Sequence, residues 1–477
     1  MTTLGIDLGT GSVKAAIVDD EGRVTGRASH PYRVRSPRPG CAEGDPREWL
    51  HAASEVAASV TMGVPQRPTA VAFSGQMHGV VVTDKDLKPL RPAILWADAR
   101  ATVEAREMAE ALSPAELSRL GSPAVTGFAA TSIAWLLRHE PDVMAKAVHI
   151  LQPKDWLRAA MGGGIATDPS DASGTLLFDV VDGAWSARVL DWLGIDPALL
   201  PEVMASTARV GQVRIGGFPK GLECAVGAAD TACALAGLGA SAGEGFVAVG
   251  TGAQVVRVMA EPGVDESLRT HTFATAGDIG QGWYRLGAVQ SAGLVLTAAL
   301  AWLGATPQDA AKALGKGVQP DDPVFVPYLS GERTPFMDPQ LRGSWHGLSL
   351  ATARAAMLRS VLEGVAQAVA LGVEAVQESG EALPDTVPLI GGGTHDPAFR
   401  RLLADATGLS LTITDAPDSA VVGAALLASG RTTNPRAQGG VDTITPDSGA
   451  ARLLAHRRGM MVQYAASGGG HQSEETS

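Results

Sequence analysis

Two short strings in this chain combine glycine with groups able to handle phosphate. Near the start, Asp7-Leu-Gly-Thr-Gly11 runs on into Ser12-Val-Lys14, and far downstream Gly250-Thr-Gly252 follows the apolar Phe246-Val-Ala-Val249. Consecutive small residues let backbone N–H groups converge on an anion, because no Cβ blocks the approach. Asp7 stands two residues before Gly9 at the end of an apolar run, where a carboxylate must be paired, hydrogen-bonded or neutralised. Carboxylate and loop together suit a Mg²⁺–nucleotide site, since Mg²⁺ takes one or two carboxylates plus phosphates and water. A third string puts Gln76, Met77 and His78 between two apolar runs, and a fourth puts Asp230 ahead of a helix-like segment, residues 232–238.

Each of these has a plain structural alternative. A Gly-Thr-Gly is by itself a hairpin turn. Asp230 reads on pattern alone as a helix N-cap, an anion held by the dipole and free N–H groups. Gly391-Gly-Gly393 ahead of Asp396-Pro397 reads as a strand-to-helix turn with Asp396 as cap. Lys14 either points back toward Asp7 or is solvated, because strand neighbours alternate faces. Trp302, late in a helical stretch, reads as a core residue in preference to a border for a nucleotide base.

The elements that must carry these residues follow from periodicity. The offset between the two Gly-Thr-Gly strings, 250 − 9 = 241 residues, is half of the 477-residue chain and points to a duplicated fold. After Gly11, Val13, Ala15 and Ile17 alternate before a turn at residues 19–22, so the unit is strand, glycine loop, strand. That order excludes the dinucleotide fingerprint, whose glycines open a helix. The P-loop is excluded as well, because Gly315-Lys316 is followed by Gly317. Helices are expected over residues 101–112, 285–303, 350–377 and 397–407, and strands over 70–73, 80–83, 148–151 and 387–390. The class is therefore α/β.

Composition narrows the setting. With 38 Lys+Arg against 50 Asp+Glu the net charge is −12, which argues against nucleic acid as a partner. Three cysteines are too few for a disulfide framework, no run of about 18 apolar residues suggests a membrane span, and the start lacks a basic leader. A cytoplasmic enzyme acting on a small molecule is expected, with disorder from about residue 466.

Beyond these readings, Asp7-Leu-Gly-Thr-Gly11 with a second Gly-Thr-Gly resembles the actin and hexokinase superfold, two ribonuclease-H-like halves closing on ATP. Further strings make the chain resemble the FGGY carbohydrate kinases, in particular their xylulokinase branch. They are Phe73-Ser-Gly-Gln-Met-His-Gly79, Arg91-Pro-Ala-Ile-Leu-Trp-Ala-Asp-Ala-Arg100, Pro153-Lys-Asp155 and Asp168-Pro-Ser-Asp-Ala-Ser-Gly-Thr175. Val226-Gly-Ala-Ala-Asp230, Phe325-Val-Pro-Tyr-Leu-Ser-Gly-Glu-Arg-Thr-Pro335, Arg359-Ser-Val-Leu-Glu-Gly364 and Ile390-Gly-Gly-Gly-Thr-His395 complete the set. They keep the family's order across nearly the whole chain, and the Gln-Met-His-Gly and Leu-Ser-Gly-Glu-Arg-Thr-Pro strings are the specific ones.

The resemblance implies roles. Residues 1–240 would form an N-terminal domain with the sugar site and first phosphate loop, and 241–477 a C-terminal domain with the second loop and adenosine site. Asp230 would be the general base that takes the proton from the attacking sugar hydroxyl. Met77 and His78, with Gln76, would contact the sugar, and Trp96, Asp98 and Arg100 are further candidates; Trp96 is alternatively a core residue and Arg100 an ion-pair partner of Asp98. ATP would lie on Gly9, Thr10, Gly11, Lys14, Gly250, Thr251, Gly252, Gly392, Gly393 and Asp396, with Asp7 on the Mg²⁺ side through water. A homodimer stays open. The chain departs from the family pattern at Gly250-Thr-Gly-Ala253, at Ala229 and Thr231 flanking Asp230, and at Ser132 where a Lys is usual.

Overall fold

The computed structural model describes residues 2–468, except 63, 65, 215, 220, 381, 415–417 and 435–441. Residues 466–468 continue the last helix, and the rest of the segment expected to be disordered lies outside the described residues.

A seven-stranded sheet is built from β1 (Thr3–Leu8), β2 (Ser12–Val18), β3 (Val24–Pro31), β4 (Ala70–Gly75), β5 (Arg209–Val213), β6 (Leu222–Ala225) and β7 (Ala228–Ala229). Its order is β5-β6-β4-β1-β2-β3, with β7 continuing beside β4. A second sheet is built from β8 (Gly245–Val249), β9 (Ala253–Met259), β10 (His271–Ala274), β11 (Trp283–Val289), β12 (Thr386–Ile390), β13 (Ser410–Ile413) and β14 (Asp442–Ile444). Its order is β10-β11-β9-β8-β12-β13-β14.

The duplication is visible in the pairing. In the first sheet β3-β2-β1 run antiparallel and β4 then pairs parallel to β1. In the second, β11-β9-β8 run antiparallel and β12 pairs parallel to β8. Both glycine loops therefore join the first two strands of their sheet. The first closes as a hairpin, with the Gly9 amide donating to the Ser12 carbonyl at 3.0 Å and Asp7 opposite Lys14.

Helices cover both faces of each sheet, which is why central strands such as β1 are buried throughout. Among them are α1 (Pro46–Thr61), α2 (Pro153–Ala160), α3 (Pro169–Ser173), α4 (Asp230–Leu238), α5 (Gly293–Trp302), α6 (Arg354–Glu378), α7 (Pro397–Thr407) and α8 (Ser419–Ala428). Helix α1 starts at an Asp45 cap with Pro46 in its first turn, and buries Trp49, Ala52, Ala53, Val56, Ala57 and Val60 against β2 and β3. Helix α6 is apolar and long enough to cross a membrane by composition, yet 89% of its most apolar window is buried inside the protein. It is the core helix of the second half.

The halves join through α8, which belongs to the second half by sequence but packs against α4 and over β1 and β4. Glycine permits this crossing: a Cβ on Gly423 would stand 1.8 Å from the Cys233 carbonyl oxygen, and one on Gly237 2.1 Å from that of Ser419.

One expected element is different. Residues 285–303 do not form one helix: Trp283–Val289 is strand β11, and the helix begins at Gly293. The sequence is apolar enough for either state, and ladder pairing to β9 on one side and β10 on the other decides it. Trp302 is not in the core; it is 61% exposed at the end of α5.

Candidate active site

The parallel strands β1, β4 and β7 end side by side. Asp7 is level with Ser74 on β4, and Ser74 with Ala228 on β7, so Asp230 emerges two residues beyond that row. With strands about 4.8 Å apart, the Asp7 and Asp230 backbones stand roughly 10 Å from one another. This is the strand-end position at which open α/β sheets place their ligands.

Asp7 is buried, and its Oδ1 accepts a 2.7 Å hydrogen bond from the Ser74 hydroxyl. Burial raises its carboxyl above the ordinary range; Ser74 and the Lys14 ammonium oppose the rise, and Asp418 adds to it. Lys14 lies opposite Asp7 in the hairpin, with its Nζ 3.7 Å from Asp418, so it is turned to the Asp7 side while 40% exposed. Asp230 is the first residue of α4 rather than its cap, which is Ala229. Its Oδ1 accepts from the Thr231 amide at 2.6 Å and the Thr231 hydroxyl at 3.3 Å. Burial first, and the negative Asp7 second, push the Asp230 carboxyl up to about 7, against the opposing pull of Thr231.

A buried charge cluster fixes the strand ahead of Asp230. The Lys154 ammonium meets Asp155 at 2.6 Å, and Asp168 and Asp171 at 3.2 Å each, while Arg158 meets Asp155 at 2.9 Å. Three carboxylates stand against two cations, and burial above all holds the Asp171 carboxyl well above its usual range, with the Lys154 ammonium opposing the rise. Asp168 accepts from the Ser170 hydroxyl at 2.5 Å, and Ser170 Oγ in turn accepts from the Ala229 amide at 2.9 Å. Asp230 is thus held from behind by α3.

The loop after β4 carries Gln76, Met77 and His78. The Gln76 amide donates to the Leu8 carbonyl at 2.9 Å, and among the described residues its buried Oε1 has no hydrogen-bond partner. Met77 is buried and receives the Tyr284 hydroxyl at Sδ, 3.6 Å away. His78 has φ 72°, lies against Phe128 at 4.1 Å between ring centroids, and has Nδ1 2.6 Å from the Gly174 carbonyl oxygen. Burial, reinforced by the charge of Arg333 and opposed by Gly174, pulls its imidazole down to about 3, so the ring is neutral. With the proton on Nδ1, Nε2 is left as an acceptor.

The wall beside this loop divides the remaining candidates. Trp96 Nε1 donates to the Thr10 hydroxyl at 3.0 Å, tying the wall to the first glycine loop. Asp98 spends its carboxylate on the Ala42 amide and on the backbone and side chain of Arg100, and Arg100 also reaches Glu43 at 2.8 Å. These two form the ion pair foreseen as their alternative role.

The second half brings two more loops together. Gly250 and Thr251 accept at their carbonyls from the Gly293 and Leu294 amides, both at 3.0 Å, so α5 starts on the second glycine loop. Gly391, at φ 104°, lies where a Cβ would be 2.4 Å from the Val249 carbonyl oxygen, and Gly393 lies against the same atom. Gly392 is open, and Asp396 caps α7 through the Phe399 amide at 2.9 Å.

Several residues of the site carried no role in the sequence reading. Ser74 and Arg333 sit inside strings already quoted there. Tyr32, whose hydroxyl donates to the Gly9 carbonyl and whose amide donates to that of Gly11 at 3.1 Å, is an isolated aromatic just past an edge strand and gives no signal.

Residues 2–237 match the N-terminal domain of the FGGY family of carbohydrate kinases, and residues 245–430 match its C-terminal domain. The chain belongs to that family, and is an ATP-dependent sugar kinase with the two-domain fold of the actin and hexokinase type. It is 30% identical to the xylulose kinase of Bacillus subtilis (strain 168) over 442 residues, 89% of this chain and 87% of that one. The crystal structure of a xyloylose kinase from Brucella ovis superposes with a TM-score of 0.89 at 30% identity, over 98% of this chain and 99% of the other. A gluconate kinase from Lactobacillus acidophilus shares the fold, with a TM-score of 0.92 at 21% identity and 98% of each chain covered.

Proposed function

We propose that this enzyme phosphorylates D-xylulose, giving D-xylulose 5-phosphate and ADP. The observation that carries the mechanism is the placement of Asp230, its carboxyl raised to about 7, one strand away from the Gln76–His78 loop and two from Asp7. A base whose pKa lies near the working pH combines an available ionised form with real proton affinity. Asp230 Oδ takes the proton from the C5 hydroxyl as its oxygen attacks the terminal phosphorus, and the ADP oxygen leaves with the bond electrons.

Neutral ketoses are read through hydroxyls, which suits Gln76, the neutral His78 and the apolar flank of Met77, with Trp96 bordering the pocket. Asp98 and Arg100 hold that wall in place. Gly9, Thr10, Gly11 and Lys14 with Gly250, Thr251 and Gly252 cradle the phosphates from both sides, while Gly392 and Gly393 face the adenosine and Asp396 fixes the helix behind them. Among the described residues no group of three or more His, Cys, Asp or Glu side chains is gathered for a metal. A single buried carboxylate fits Mg²⁺ that is held mostly by phosphates and water, and Asp7 is that carboxylate. When bound, Mg²⁺ neutralises phosphate charge. The halves, 1–240 and 241–477, close on the substrates and exclude water as a competing acceptor. The reading places the enzyme in the cytoplasm, where its cysteines, Cys41, Cys224 and Cys233, are free thiols.

The test is ADP release from Mg-ATP with D-xylulose, D-ribulose, D-gluconate and glycerol. We expect kcat/KM for D-xylulose to exceed the others by about tenfold or more, the scale of a few lost hydrogen bonds. A preference for another acceptor overturns the xylulose assignment.

A further inference from the structure

The loop after residues Val324–Val326 carries Glu332-Arg333-Thr334 from the second half to the cleft. The Glu332 carboxylate accepts from the amides of Gln290 at 2.6 Å, Ser291 at 3.2 Å and Arg333 at 2.8 Å. Thr334 is bound in both directions to Ala288, at 2.9 and 3.0 Å. This pins the backbone of Arg333 at the end of β11, whose Val289 carbonyl oxygen lies 2.8 Å from where a Cβ on Gly252 would stand. Arg333 is therefore anchored beside the second glycine loop.

Its side chain points to the other half. The guanidinium carbon lies 5.9 Å from the ring centroid of Trp96, whose Nε1 is bound to Thr10 of the first glycine loop. Among the described residues no hydrogen bond or ion pair reaches this guanidinium, although it is partly buried. Burial lowers its pKa, opposed by the charge of Glu332, and its own charge is felt at His78 and His271. A cation over an indole gains about 0.5–1 kcal/mol at an exposed site, which leaves five N–H donors unused. A partly desolvated guanidinium without a carboxylate is expensive unless an anion arrives. The sugar of this reaction is neutral, and the triphosphate is the anion that enters between the two loops.

We propose that Arg333 is a catalytic residue which, in the closed enzyme, donates hydrogen bonds to the phosphoryl group in transfer, supplying charge from the second half across the cleft. This rests on the reading of the two glycine loops as the phosphate cradle. In transfer, charge spreads over the three non-bridging oxygens of the phosphoryl group, and a planar fork of donors matches those oxygens. Trp96 holds the fork until closure.

The test compares the wild-type enzyme with Arg333→Gln and Arg333→Lys, using the best acceptor of the sugar panel. We expect Arg333→Gln to lose at least about 100-fold in kcat, the scale of one preorganised donor. Sugar binding without nucleotide and ADP binding, both by calorimetry, should stay within about twofold, while the β,γ-imido analogue of ATP weakens about tenfold. Arg333→Lys should recover part of kcat, and added guanidinium ion should raise the rate of Arg333→Ala. A tenfold loss in sugar affinity with kcat intact, or kcat unchanged in the Gln variant, overturns the proposal. Equal loss of ADP and analogue binding also overturns it, because the contact would then lie on the retained phosphates. Failure of the wild-type enzyme to release ADP with any sugar would instead refute the proposed function, and is scored before any variant.

Discussion

The segments that leave β4 and β12 occupy the same place in the two halves, each following the strand that pairs parallel to the first strand of its sheet. They are built from opposite materials. After β4 come Gln76 and Met77, both buried, and His78 held by Gly174 and Phe128. After β12 come three glycines, all exposed, with Gly391 at φ 104° against the Val249 carbonyl. One loop presents side chains, the other bare backbone. A neutral polyol offers hydroxyls that have to be counted and oriented one at a time, which side chains do. A nucleotide offers a flat base, a ribose and charged oxygens, which close backbone approach serves better. On the proposed function, the duplicated frame makes one half the reader of the acceptor and the other the seat of the donor.

The largest effect should come from Asp230, where the first half adds chemistry to recognition. Asp230→Asn keeps the shape and the Thr231 contact but cannot accept a proton, and kcat is expected to fall by about 10³-fold or more, with sugar and ATP affinities nearly unchanged. In the wild-type enzyme kcat/KM should rise with pH through about 7, where the carboxyl ionises. The stability effect has the opposite sign. A carboxyl raised from 3.8 to about 7 by folding binds its proton more tightly in the native state, so stability is lost as pH rises through that window. Asp230→Asn should therefore gain most in Tm at pH 8 and least near pH 4. A loss of turnover as large from a substitution in the glycine loop of the second half would break the division of labour.

Much of the duplicated frame is legible in the sequence, and the limits have physical causes. The two Gly-Thr-Gly strings stood out because a hairpin connection needs small residues in both copies, and the 241-residue offset then gave the duplication. Short-range patterns mark Asp7 and Asp230 at strand or helix ends, while the base role of Asp230 and the sugar contact of Met77 and His78 come from the family resemblance alone. Residues 285–303 misled because apolar content does not distinguish a buried strand from a buried helix, and only pairing with β9 and β10 decides. Asp98 and Arg100 share a loop with Trp96, and nothing in their spacing says that the pair turns to Glu43 and Ala42 while the indole turns to Thr10. Tyr32, the charge cluster around Lys154 and the place of Arg333 over Trp96 are long-range facts, assembled from segments far apart in the chain.

A smaller effect is expected at Gly391. An alanine there must hold φ 104° and place its Cβ 2.4 Å from the Val249 carbonyl oxygen, at a strain of about 1–3 kcal/mol that moves the loop. We expect the KM for ATP to rise by about tenfold or more while the sugar KM stays. Gly392→Ala, with nothing within 4 Å of the added carbon, controls for side-chain bulk alone. If Gly391→Ala raised the sugar KM and spared ATP, the two loops would have been assigned to the wrong ligands.

His78 should give the smallest change and the sharpest one for the comparison. Its imidazole offers one acceptor, Nε2, to a sugar hydroxyl, and one hydrogen bond between neutral groups is worth about 1 kcal/mol. His78→Ala should therefore raise the sugar KM by about five- to tenfold, with kcat and the KM for ATP close to wild type. Because the ring is held near 3 by burial, it stays neutral at every pH used for assay. The sugar KM should then be flat between about pH 6 and 9, without the inflection near 6.5 that an ordinary histidine gives. An inflection there that disappears in His78→Ala would show a ring open to water and titrating. The first loop would then be as exposed as the second, and the contrast between a reading surface and a seating surface would fail at its central residue.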